Sequence, residues 1–272
     1  MSRPIVFKFL VCYYLLTFIG DGFFASPWEA GLRYGQGFRV PGRFDSDLRG
    51  FSTSFNPLVF SDVELNGGNT TSTYEGLARY FLDSNSKIGI IIGRQDLSKL
   101  ALTEVSSDFY LTKLQNEIYS YHVFGTYHFV TNLSRGWEWE NGLGMVFVSA
   151  DRQIRGYSGG GESNNQSFFQ QRGNLRGNGL GYRAESNINK MLGDNNVFQI
   201  GVGYHHIAIA SFSGNYNGET SSFYLGSGGK VGVFDDSKVF DANVSTSQFL
   251  RKLDMNSGSW NLYFSVMHRF LD

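Results

Sequence analysis

The sequence predicts an all-β fold, an eight-stranded antiparallel up-and-down transmembrane β-barrel with short turns at one end and long loops at the other. The first observation is a period-two alternation of apolar and polar residues over segments long enough to cross a membrane. The clearest segment is 259–270, in which Trp260, Leu262, Phe264 and Val266 share one face. The second observation is that the connections between such segments are alternately short and long, which is typical of membrane barrels.

Eight segments carry the alternation. They are residues 28–40, 71–82, 87–94, 117–130, 137–150, 180–191, 197–212 and 259–270. Short polar turns follow the second, fourth and sixth segments, and the predicted long loops are residues 41–70, 95–116, 151–179 and 213–258. A soluble β-sandwich has no reason to alternate its connection lengths in this way.

Two local irregularities interrupt the pattern. The phase of the seventh segment shifts around His205 and His206, which predicts a β-bulge at that point. Three consecutive glycines at 159–161 predict a flexible stretch of the third loop. They do not form a phosphate-binding loop, because no Lys-Ser or Lys-Thr follows them.

The amino end predicts a signal peptide over residues 1–26, followed by a single barrel domain over residues 27–272. Arg3 and Lys8 precede an apolar run at 9–19 that is too short to span a bilayer as a helix. The single cysteine, Cys12, lies inside this signal, so we expect no disulfide or cysteine ligand in the exported chain. A net charge of −1 argues against a nucleic-acid partner.

The face opposite the aromatic residues is charged. It holds Glu29, Arg33, Glu75, Arg79, Glu138, Glu140, Arg183, Glu185 and Arg269, together with His122 and His205. The interior of an eight-stranded barrel is just wide enough for side chains to fill. Because isolated buried charges are costly, the pattern predicts a lumen filled by an ion-pair network. A small pore is the alternative if that network can rearrange.

These strands, the ionic interior and the aromatic final strand resemble the small OmpA/OmpX-type outer-membrane barrels over residues 27–272. The resemblance implies a location in the outer membrane, with the short turns in the periplasm and the long loops outside. Outer-membrane lipid and lipopolysaccharide are the implied partners, and the loops are expected to reach an extracellular or host ligand. The expected function is that of a surface-exposed structural or interaction protein, adhesin-like in character.

An enzymatic alternative comes from residues 204–208 and 215–219, which resemble the catalytic strand of outer-membrane lipid A deacylases. The resemblance implies that His206 is the base and Glu219 the acid that orients it. Ala208 stands where that family has its serine nucleophile, and Ser211, the candidate substitute, lacks the His-x-Ser spacing. A deacylase-like hydrolase, active or inactive, is therefore the alternative to a non-enzymatic barrel.

No cofactor or metal site is predicted. His122 and His128 are six residues apart, about 20 Å along a strand, and cannot share an ion. Glu138 and Glu140 are neighbours on one face, at a spacing of about 7 Å that two-carboxylate chemistry could use. We expect them to pair with lumen arginines instead.

Overall fold

The structure is a computed structural model that describes residues 27–40, 61–68, 70–106, 111–161, 167–226, 231–235, 249–252 and 254–270. The predicted signal peptide lies outside the described residues, and so does part of each predicted long loop. The strands are β1 (Trp28–Val40), β2 (Ser61–Gly68), β3 (Thr70–Asp83), β4 (Ser86–Ser106), β5 (Leu111–Asn132), β6 (Trp137–Gly160), β7 (Ser167–Leu192), β8 (Asn196–Ile209), β9 (Ser213–Tyr216), β10 (Glu219–Gly226), β11 (Val231–Asp235), β12 (Phe249–Lys252) and β13 (Met255–Phe270). Within this described part, no helix has the length and apolar character needed to cross a membrane.

Eight of the strands close into a ring in the order β1, β3, β4, β5, β6, β7, β8 and β13, with every neighbouring pair antiparallel. The ring closes where β13 pairs with both β8 and β1, in a register that places Trp28 opposite Phe270. Closure satisfies the backbone hydrogen-bonding groups of every strand, as a segment in hydrocarbon requires. The predicted fold class is confirmed, and the eight predicted segments correspond to these eight strands.

The strands continue well beyond the predicted ends of four segments. The predicted loops 95–116 and 151–179 are wrong in large part, because β4, β5, β6 and β7 run through most of them. Gly159 and Gly160 likewise lie at the end of β6, opposite Phe168 and Ser167. We call the far part of these strands the extension. It comprises residues 97–106 of β4, 111–118 of β5, 149–160 of β6 and 167–178 of β7, together with β2 and β9–β12.

The predicted bulge at His205 and His206 is also wrong. The register of β8 runs unbroken through both histidines against β7 and β13. The ladder to β7 stops at Ile209, opposite Gly179, and resumes at Ser213, opposite Arg176. Three residues of one chain segment therefore face two of the other, and this irregularity turns Phe212 into the interior, where it is fully buried.

A belt of exposed apolar side chains surrounds the ring. Its members include Ile88, Ile90, Ile92, Val123, Phe129, Leu143, Met145, Phe147, Leu180, Ile188, Ile200, Val202, Leu262 and Phe264, all at least 39% exposed. Soluble proteins rarely expose a continuous apolar surface of this extent. With the closed ring, this lipid-facing belt defines the chain as a membrane-spanning β-barrel.

Candidate functional site in the barrel interior and the extension

The charges inside the ring begin as cross-strand pairs that the register dictates. Glu29 on β1 lies opposite Arg79 on β3 and opposite Arg269 on β13, and Arg33 lies opposite Glu75. Opposite charges at directly facing positions attract, so the register itself brings these side chains together. All five are buried.

Arg79 stands at the centre of the lower cluster, nearer the short turns. One guanidinium nitrogen lies 2.8 Å from Glu140 and 3.1 Å from Glu29, and the other lies 3.5 Å from Glu185. Lys87 contacts the same two acids as the first nitrogen, at 3.0 Å from Glu29 and 2.9 Å from Glu140. Apart from the Arg79–Glu29 contact between the neighbouring strands β1 and β3, these contacts join strands that are not neighbours, so the cluster links opposite walls of the lumen.

Arg183 and Arg33 form the upper cluster with Glu75 and Glu185. Arg183 Nη1 lies 2.7 Å from Glu75 and its Nε lies 2.6 Å from Glu185. Arg33 reaches Glu185 at 2.8 Å, and His122 Nε2 lies 3.1 Å from Glu75. With the Arg79 contact at 3.5 Å, Glu185 therefore shares its carboxylate among three arginines, which compensates for the loss of its hydration.

The network is balanced in charge. Five glutamates face five basic side chains, because Arg269 completes the set by binding Glu138 at 2.6 Å and Glu29 at 3.0 Å. Gly89 and Gly142 provide the room, since a Cβ on either would collide with Arg79 or His128 respectively. A neutral, space-filling interior of this kind suits the narrow lumen of an eight-stranded barrel.

All nine sequence-predicted network residues lie in this interior and are buried. The prediction omitted Lys87, His128, Asn189 and Gln199, of which Asn189 donates to Glu140 at 3.1 Å and Gln199 to Glu140 at 3.3 Å. A signal for Lys87 was present: the alternate residues Ile88, Ile90 and Ile92 face lipid, so the lysine must face inward. Nothing in the strand pattern distinguishes the two amides from structural polar residues.

One group within the described residues has the composition of a metal site. His128, Glu140 and Glu185 bring three ligand-type atoms within 4.8 Å of one another. The guanidinium of Arg79 already contacts both carboxylates, and His128 Nδ1 lies 3.1 Å from Glu140. A metal ion would have to displace Arg79, so we assign the cluster to the ion-pair network.

An uncharged polar layer lies above the ionic clusters. Gln95 spans the lumen from β4, donating to Ser259 Oγ at 3.0 Å and lying 3.2 Å from His205 Nδ1. Phe124 stacks on the His205 ring at a centroid distance of 4.8 Å. His205 is therefore a packed lumen histidine, held by an amide on one side and an aromatic ring on the other.

The interior of the extension is apolar. Leu97, Ile118, Ile154, Leu175 and Phe212 are all at most 2% exposed and belong to one hydrophobic cluster. Arg152 also points inward there, donating to Asn116 Oδ1 at 2.9 Å with its guanidinium 6.0 Å from the Phe212 ring. The extension is thus packed like a soluble β-structure, although its strands continue directly from the barrel.

The residues of the enzymatic alternative are not brought together. His206 points outward and lies opposite Tyr182 in the ladder between β7 and β8. The two rings stack at a centroid distance of 5.2 Å. Glu219 lies opposite Tyr216, and Tyr216 lies opposite Gly173 on β7. Gly173 is nine residues from Tyr182 along that strand. Nine residues of strand correspond to about 30 Å, which is too far for a glutamate to orient His206. Ser211 lies in the irregular segment between β8 and β9.

Comparisons with solved structures find outer-membrane barrels at low identity. OprG from Pseudomonas aeruginosa is 8% identical with a TM-score of 0.44, over 91% of this chain and 97% of that one. A major outer membrane protein from Thermus thermophilus is 11% identical with a TM-score of 0.33, over 89% and 99%. The outer membrane protease OmpT from Escherichia coli is 8% identical with a TM-score of 0.29, over 90% and 97%.

No protein-family model matches the sequence, and no curated protein matches it. Because the three TM-scores are below 0.5, the assignment rests on the hydrogen-bonded ring and the lipid-facing belt of the chain itself. Single-chain barrels with such a belt belong to outer membranes, and this is the location that the fold indicates. The comparisons give no support to the lipid A deacylase resemblance.

Proposed function

We propose that the protein is a structural and interaction barrel of the outer membrane, adhesin-like in character, which anchors the extension and presents it outside the cell. The observation that carries the proposal is the reversal of polarity along β6. Within the belt its outward residues are apolar apart from Asn141, and beyond Phe147 they become Ser149, Asp151 and Gln153. The strand therefore leaves the membrane and continues into water with its inner face still packed.

The barrel itself serves as a closed anchor in this proposal. The balanced ionic clusters fill the lumen, and the polar layer around Gln95 lies across it. This filling disfavours the small-pore alternative, and the separation of His206 from Glu219 disfavours the hydrolase alternative. Planar-bilayer recordings of the purified protein should accordingly show no channel steps, and regular single-channel steps would contradict the closed anchor.

Cysteine labelling tests the orientation, because Cys12 is the only cysteine of the sequence and lies in the predicted signal peptide. We expect Ser167→Cys, at the start of β7 in the extension, to react with a membrane-impermeant maleimide on intact cells. The matched variant Asn195→Cys, in the short turn before β8, should react only after the outer membrane is permeabilised. Labelling of Asn195→Cys but not Ser167→Cys on intact cells would overturn the proposal.

A further inference from the structure

The outer face of β5, β6 and β7 combines two features that the proposed function does not use. One is an apolar groove within the lipid-facing belt. The other is an exposed surface of basic and aromatic side chains on the same face of the same strands, in the extension. We take each in turn before asking what single molecule would meet both.

The groove has a volume of about 700 Å³ and is lined by Tyr127, Leu143, Met145 and Tyr182. Its floor is formed where Gly125 lies opposite Met145, and a Cβ added to Gly125 would meet no other atom within 4 Å. The absence of a side chain at this outward position leaves a depression in a surface otherwise covered by large apolar groups. In a bilayer such a depression is filled by a hydrocarbon chain.

The second feature, which we call the basic-aromatic patch, consists of Lys113, Arg155, Tyr157, Phe168 and Arg172. All five side chains are exposed, and Phe168 packs against Tyr157 at a centroid distance of 5.8 Å. Aromatic residues and arginine are enriched in binding surfaces, and here an exposed aromatic pair lies among three basic side chains.

The charge arrangement of the patch points to an anionic partner. Arg155 and Arg172 lie directly opposite each other on β6 and β7, with Gln115 beyond Arg155 on β5. Like charges at facing positions destabilise a sheet, so a bound anion would relieve the repulsion. The rows of facing residues directly above and below these arginines hold one carboxylate among the described residues of β5–β7. It is that of Glu117, which lies opposite Gln153.

Amide side chains surround the two arginines. Gln115, Gln153, Gln170 and Asn174 share the outward face of β5, β6 and β7 with the patch. Amides donate and accept hydrogen bonds, which suits hydroxyl groups, while guanidinium groups bind phosphate or carboxylate in a bidentate manner. Aromatic rings pack on the apolar faces of sugar rings. Together these groups match an acidic oligosaccharide.

The patch and the groove lie on one continuous outward face of the same strands, with four outward residues of β6 between them. Met145 in the groove and Arg155 in the patch are both outward residues of β6, ten residues or about 33 Å of strand apart. The patch therefore faces sideways, along the membrane surface, toward the sugars of lipids whose chains lie on the belt. From this continuity we propose that the outer face of β5–β7 binds an acidic glycolipid of its own outer leaflet, with an acyl chain in the groove and acidic sugars on the patch.

This inference rests on the proposed function, since it requires the extension to lie outside the cell. Failure of the labelling experiment above would remove both. If labelling succeeds and the binding experiment fails, only the glycolipid is excluded.

The test measures binding to the folded full-length exported chain by native mass spectrometry. The probes are lipopolysaccharide with a phosphorylated core, lipid A without the core, and phosphatidylglycerol. We expect the core-bearing molecule to bind more tightly than lipid A. Arg155→Gln and Arg172→Gln should each weaken binding of the core-bearing molecule about fivefold, and leave lipid A unchanged. Gly125→Phe, whose added Cβ meets no atom within 4 Å, places a ring in the groove and should weaken binding of both.

Arg135→Gln is the matched control, because Arg135 is an exposed arginine in the short turn between β5 and β6, at the opposite end of the barrel. It should bind all three probes as the unmodified chain does. Equal affinity for core-bearing lipopolysaccharide and lipid A would overturn the proposal. The proposal would also be overturned if the two arginine variants lost phosphatidylglycerol binding to the same extent as binding of the core-bearing molecule. The patch would then bind any anionic lipid through its charge alone. Heat-modifiable gel mobility confirms that each variant is folded.

Discussion

The two halves of β6 show opposite arrangements of the same kinds of residue. From Trp137 to Phe147 the outward side chains are apolar apart from Asn141, and the inward ones include Glu138 and Glu140. Beyond Phe147 the outward Asp151 is polar and the inward Ile154 is apolar. The alternation continues without interruption, and only its polarity is reversed. The surroundings of a strand, lipid or water, therefore decide which face is apolar.

The two interiors differ in what holds them together. In the barrel, ion pairs that link non-neighbouring strands act beside a few buried apolar side chains such as Ile91 and Phe124, because most of the apolar side chains face the lipid. In the extension, cohesion comes from burial of side chains such as Ile118 and Phe212, as in a soluble protein. The two regions should consequently respond in different ways to the same class of substitution.

The largest effect is expected from Arg79→Ala in the ionic layer. The substitution removes the cation that Glu29, Glu140 and Glu185 share, and breaking a buried ion network by removing one partner costs about 3–5 kcal/mol of unfolding free energy. Urea-induced unfolding in lipid vesicles, followed by tryptophan fluorescence, measures the change.

Arg176→Ala is the matched control for Arg79→Ala. Arg176 also pairs with a carboxylate, Asp151 at 2.8 Å, but the pair lies on the outside of the extension and the arginine side chain is 68% exposed. We expect no measurable change in unfolding, since exposed pairs contribute little. Similar effects of the two substitutions would mean that the buried network is not what holds the barrel together.

A basic residue placed on the two halves of β6 tests the reversal directly. Met145→Arg puts a charge on the lipid-facing belt and should cost about 2–4 kcal/mol of unfolding free energy in lipid. Gln153→Arg adds the same charge to the same face eight residues further along, where the strand faces water, and should cost less than about 1 kcal/mol, including its repulsion from the neighbouring Arg155. The same urea titration measures both, and equal costs would place the membrane boundary elsewhere.

The reversal also explains which parts of the fold the sequence could predict. The first strand was predicted as residues 28–40 and is observed as Trp28–Val40, because its outward face stays apolar over most of its length. Residues 95–116 and 151–179 were predicted as loops because the apolar residues change from the outward to the inward face of the strands there. From the sequence, this change looks like the end of the alternation between apolar and polar residues. In the same way, the apparent slip at His205 and His206 is the point where β8 changes from apolar outward to apolar inward at Ile207 and Ile209, with no change of register.

The sequence predicted which residues belong to the ion-pair network better than it predicted which of them contact each other. Charge segregation on alternate positions identified residues such as Arg33 and Glu185 as members of the network, but it assigned no partners to them. The contact of Arg33 with Glu185 at 2.8 Å joins β1 to β7 across the lumen. Such contacts depend on the shape of the closed barrel and on side-chain rotamers, which strand periodicity does not contain.

A smaller and more local effect is expected in the apolar interior of the extension. Ile154→Ala removes a side chain that is 2% exposed and should cost about 2–3 kcal/mol, with Ile154→Val at about 1 kcal/mol. Hydrogen exchange should show faster opening of β6 and β7 beyond the belt, while protection within the belt is unchanged. Equal loss of protection in both regions would show that they unfold as one unit.

The smallest effect concerns the short turn after β3, at the end of the barrel opposite the extension. The Asp83 carboxylate accepts hydrogen bonds from the Asn85 backbone N–H and the Ser86 hydroxyl, each at 2.7 Å, and these bonds hold the pKa of Asp83 below its ordinary value. A lowered folded-state pKa means that the stabilisation is complete above the ordinary value near 3.8 and is lost as the pH falls through the lower one.

The amide signal of Asn85 in solution NMR of the detergent-solubilised barrel should therefore move in a single titration whose midpoint lies below pH 3.8. Asp83→Asn keeps one acceptor and removes the ionisable group, so its Asn85 signal should not move over that range. A midpoint at or above the ordinary value would show that the turn is not held by the ionised carboxylate. Because Asp83 is solvent-exposed and outside both interiors, the loss of these hydrogen bonds should loosen the turn alone, which separates local turn chemistry from the two cohesive regions.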